Sequence, residues 1–93
     1  MDIFAQLAQK IIAEQETILG SIALEQAKKV KGLTIDWAKN EVIVVGNESE
    51  VIEHLVEQYR EFFGNASVDV CREAVKNLIK QVPANEMPPL LSK

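Results

Sequence analysis

The stretch from Ile3 to Val30, IFAQLAQKIIAEQETILGSIALEQAKKV, carries a helical pattern for nearly all of its 28 residues. Phe4, Leu7, Ala8, Ile11, Ile12, Ile18, Leu19, Ile22, Ala23 and Val30 share one stripe when placed at 100° per residue. At 1.5 Å per residue such a helix would reach about 42 Å. A 93-residue chain packs into a body with a radius of gyration near ~12–13 Å. The rod is therefore too long for its own domain to cover. Either Gly20, which faces the polar side, breaks it, or a second copy of the chain covers the remainder. Lysines and then Gly32 end the segment.

The residues that follow change period. In LTIDWAKNEVIVV, Leu33, Ile35 and Trp37 alternate with Thr34, Asp36 and Ala38, and EVIVV is β-branched. Lys39-Asn40 suits a tight turn, since Asn tolerates positive φ. This reads as a β-hairpin. Asn47 then offers an N-cap with Glu50 three residues on. Val51, Ile52, Leu55, Val56, Tyr59, Phe62 and Phe63 form the stripe of a helix ended by Gly64. A last helix is expected over 67–82, with Val68, Cys71, Ala74, Val75, Leu78, Ile79 and Val82 inward and Pro83 as its stop. The expected fold is α+β and mostly helical: a long N-terminal helix, a hairpin and two C-terminal helices. Residues 1–82 read as one compact domain, and the Pro-rich 83–93 as an extended, flexible tail.

A chain this short has a thin core, which favours self-association. Two-fold dimers are the commonest assembly, so a homodimer joined through Ile11, Gln15, Ile18 and Ile22 of the long helix is expected. Gln15 and Gln26 fall within the apolar stripe, where an amide needs a partner and can set helix register. The first of the two C-terminal helices carries an acidic row, Glu50, Glu53, Glu57 and Glu61, which can meet Arg72, Lys76 and Lys80 of the second.

Net charge is −4, which argues against nucleic acid, whose binding rests on phosphate neutralisation. No run reaches the ~18–20 apolar residues of a membrane span. Met1-Asp2-Ile3-Phe4 does not read as a secretory signal, and Cys71 stands alone, so a cytoplasmic protein is expected. No dinucleotide, Walker, HExxH or CxxC motif occurs. His54 lies on an outer helix face among carboxylates, and Cys71 on a buried one. Neither the spacing for a metal site nor a catalytic constellation follows, so no cofactor and no enzymatic activity are expected.

ILGSIALEQAKKV resembles a helix of small helical domains in prokaryotic signalling and regulatory proteins, with no chemistry-bearing position to carry over. The expected function is a non-enzymatic protein–protein interaction or dimerisation module, regulatory or adaptor in kind, in a prokaryotic cytoplasm. The alternative is a small-ligand sensor, with a pocket between hairpin and helices lined by Trp37, Tyr59, Phe62 and Phe63.

Overall fold

In a computed structural model, residues 2–92 are described. Helix α1 spans Ile3–Leu19 and α2 spans Ile22–Ala27. Strands β1 (Leu33–Asp36) and β2 (Glu41–Val44) form an antiparallel hairpin. Helices α3 (Glu48–Phe63) and α4 (Asn65–Val75) follow, and then three short 3-10 turns. The α+β, mostly helical fold and its element order agree with the sequence pattern. The Cα radius of gyration is 11.7 Å.

The long rod does break. Asp2 caps α1 by accepting from the Ala5 amide at 2.9 Å. Gly20 ends the helix at φ 72°, ψ −152°, a region open essentially to glycine alone. The chain then turns into the short α2, which packs back on α1 and α3. One chain thereby covers most of the stripe that a straight helix would have left bare.

The hairpin pairs Leu33 with Val44, Thr34 with Ile43, Ile35 with Val42 and Asp36 with Glu41. Its inner face buries Leu33 and Val42, and β2 rests on α1. β1 stops earlier than the alternation suggests. The Asp36 carboxylate accepts from the Lys39 amide at 3.2 Å, turning Trp37–Lys39 into a 3-10 loop. Asn40 closes it in the left-handed region, at φ 57°.

Helix α3 is capped by Asn47, whose side chain accepts from the Glu50 amide at 3.1 Å. α1, α3 and α4 close the core around Leu7, Ile11, Ile12, Ile52, Leu55, Tyr59 and Cys71, all with no more than a trace of exposure. α4 is shorter than the 67–82 expected. It ends at Val75, where i→i+3 bonds such as Leu78 N to Val75 O at 2.8 Å tighten the chain into a 3-10 path. Pro83 then holds Val82 extended.

The C-terminal segment differs from the extended tail expected of it. It folds back in 3-10 turns onto α3 and α4, with Pro88 and Leu91 buried. Lys93 lies outside the described residues. Leu91 supplies apolar area, and two charged side chains satisfy the backbone of Leu90. The Leu90 amide donates to Glu53 Oε1 at 2.9 Å, and Arg72 Nε donates to the Leu90 carbonyl at 2.8 Å.

Candidate functional site

The four residues expected on a dimer face separate into two pairs. Ile11 and Gln15 lie inside the chain's own core. Gln15 Nε2 donates to the Ser67 carbonyl at 2.9 Å and to Cys71 Sγ at 3.3 Å. The amide in the stripe therefore has its partner on α4 of the same chain, and this part of the α1 face has no room for another copy. Ile18 and Ile22 do face water, at 61% and 46% exposure. Ile18 keeps the phase of the core stripe, but Gln15 already meets the first turn of α4. One turn further on, Ile18 has passed the end of the helix that covers its neighbours.

The four aromatic residues do not meet in one pocket. Tyr59 is fully buried, and its hydroxyl donates to the Ala23 carbonyl at 2.7 Å. Burial above all, with the nearby Cys71 and Glu16, pushes its phenol well above the ordinary range. Trp37 anchors the hairpin to α1, its Nε1 donating to Glu16 Oε1 at 3.3 Å. The recess beside Trp37, about 280 Å3, is lined by Gln9, Lys10, Ala13 and Asn40, without Tyr59, Phe62 or Phe63. The Phe62 and Phe63 rings stand 6.4 Å apart at the end of α3. Phe63 packs against the core, while Phe62 is 54% exposed.

Cys71 and His54 lie in opposite surroundings, the thiol buried and the imidazole exposed. Burial pushes the Cys71 thiol up to about 11, against smaller opposing effects of the Gln15 hydrogen bond and Arg72, so it stays protonated at neutral pH. His54 is exposed and lines an open recess on α3 with Glu57, Gln58, Arg60 and Glu61. Among the described residues no three His, Cys, Asp or Glu side chains are grouped to hold a metal ion. Among the described residues no ion pair joins the acidic row of α3 to Arg72, Lys76 or Lys80. Arg72 pairs with Asp69 at 3.2 Å within α4, and Lys76, just past its end, with Glu73 at 3.0 Å, each three residues away. Glu53 holds the tail instead.

Among the described residues the large exposed apolar side chains fall on two areas. One is the outer face of the hairpin, where Ile43 and Val45 are 53% and 59% exposed. Sequence reasoning missed this face, because a run of four apolar residues hides which side points in. The other comprises Ile18 in the last turn of α1, Ile22 at the start of α2 and Phe62 in the last turn of α3. Gln26 and Gln58 close the seam between α2 and α3 there, with Gln58 Nε2 donating to Gln26 Oε1 at 2.8 Å.

No described helix is long and apolar enough to cross a membrane. No protein-family model, curated protein or solved structure matches the chain.

Proposed function

We propose that the protein is a small interaction module, regulatory or adaptor in kind, whose activity resides in its surfaces. One observation carries this reading. Five large apolar side chains, Ile18, Ile22, Ile43, Val45 and Phe62, stand about half or more exposed on a chain whose core is otherwise closed. Scattered apolar residues are ordinary on any surface. Here they fall on two areas, which is the arrangement that contacts between proteins use. The buried, protonated states of Cys71 and Tyr59 support a structural rather than a catalytic part for both. Action in the cytoplasm belongs to the proposal, in keeping with a lone unpaired thiol.

Native mass spectrometry of the purified chain tests it. Free chain or multiples of its mass, with no retained small molecule, is the expected result. A tightly held small molecule would overturn the module in favour of a sensor. A turnover lost on His54→Ala would overturn it in favour of an enzyme.

A further inference from the structure

Phe62 sits at the seam between α2 and α3 with opposite charges on its two flanks. Lys29, just past α2, brings Nζ to 5.5 Å from the ring centroid. Glu61 lies about 100° further round α3, toward the outer face that also carries His54 and Glu57. Both Lys29 and Glu61 are exposed, and neither forms an ion pair among the described residues. The apolar surface extends beyond the ring. The Tyr59 hydroxyl ties the last turns of α3 to Ala23, next to the exposed Ile22. Gln15 ties α1 to the first turn of α4, and Ile18 emerges one turn beyond.

We infer that this surface binds a second copy of the chain about a two-fold axis passing near Phe62. The inference rests on the module reading and names its partner. A two-fold interface uses the same patch on both copies, so the patch must complement itself. An apolar centre with a cation on one flank and an anion on the other does so. Rotation by 180° sets Lys29 of one copy against Glu61 of the other, twice, while the Phe62 rings and their isoleucine neighbours meet between them. A standard interface takes about 800 Å2 from each copy, so the polar rim around the three apolar side chains takes part as well. Charge pairs at such a rim set register and orientation more than affinity. The aromatic centre holds the affinity.

Sedimentation velocity across a dilution series of the whole chain tests the inference, with circular dichroism confirming that each variant is folded. The expected result is a reversible dimer that Phe62→Ser weakens about thirtyfold, the loss typical of a central aromatic anchor. Lys29→Glu or Glu61→Lys alone weakens it too, more at low salt, and the double swap Lys29→Glu with Glu61→Lys restores it. If Phe62→Ser does not fold, Ile22→Ser and the charge swap carry the same test. A monomer at every concentration overturns the inference, as does a dimer indifferent to all of these changes. Neither result touches the module reading, which falls on a retained ligand or a turnover.

Discussion

Gln15 on α1 and Ser67 on α4, 52 residues apart in sequence, are joined by a 2.9 Å hydrogen bond from the Gln15 side-chain amide to the Ser67 carbonyl, in a place closed to water. The same amide nitrogen reaches Cys71 Sγ one turn further along α4. It fixes where α4 sits along α1. Buried polar pairs of this kind add modest net stability, whereas a void in a small core is costly. Gln15→Leu keeps the volume and is expected to cost about 1 kcal/mol. Gln15→Ala empties the site and is expected to cost about 3 kcal/mol. Urea unfolding of both variants checks the ordering. Equal losses would mean that the amide's bonds, not its bulk, hold the two helices.

How much of this was legible in the sequence varies with the range of the interaction. Helix phase is local, so the stripe through Ile11 and Gln15, the Asn47 cap and the Gly64 stop agree with the structure. Gly20 announced a break, but not the direction in which the chain would turn. Nor does helix phase encode where α4 begins, which leaves Gln15 joined to α4 of the same chain and Ile18, one turn on, exposed. The alternation through Trp37 outlasts β1, because the Asp36 side chain ends the strand by capping a 3-10 turn. Residues 83–92 look unstructured by composition. They pack because Glu53 and Arg72, on two separate helices, reach the same backbone unit, a pairing that no spacing along the chain encodes.

Cys71 and Tyr59 are both buried in protonated form, and this sets the response to alkali. In the folded chain the thiol titrates at about 11 against an ordinary 9.0, and the phenol above its ordinary 10.0. The unfolded chain releases these protons first. Their contribution is therefore full below about pH 9 and declines as pH rises. The thiol's share, about 3 kcal/mol, is gone above about pH 11. Urea midpoints should hold from pH 7 to about pH 9 and fall from there to pH 11, and Cys71→Ala should flatten the first part of that fall. Tyr59→Phe should flatten the upper part while losing about 1 kcal/mol at neutral pH with its bond to Ala23. A flat wild-type profile would place both groups in contact with water.

The clamp on Leu90 predicts a local rather than a global loss. Hydrogen bonds to charged groups carry about 1.5–3 kcal/mol each. Removing either one by Glu53→Ala or Arg72→Ala should raise the open population of the C-terminal segment about tenfold or more. Limited proteolysis within 84–91 should accelerate accordingly, while the urea midpoint of the remainder changes little. If the midpoint falls in step with the cleavage rate, the segment is part of the cooperative core.

Gly20 and Gly32 break the chain's regular structure in different surroundings, and alanine separates the two. At Gly20 a Cβ meets nothing within 4 Å, so only the backbone strain remains, about 2 kcal/mol. At Gly32, with φ at +89°, a Cβ would stand 2.7 Å from the Val45 carbonyl oxygen and 2.9 Å from Val51 Cγ2. That carbonyl belongs to Val45, the residue after β2, whose own amide donates to Gly32 O at 2.7 Å, so it cannot recede without parting the base of the hairpin. Strain and overpacking together should cost about 4 kcal/mol. Gly32→Ala is expected to lower the urea midpoint by about twice as much as Gly20→Ala, and to speed amide exchange at Val45 first. Equal losses would mean that the hairpin yields to the added methyl and that strand and helix are less tightly packed at this point than Gly32 and Val51 place them.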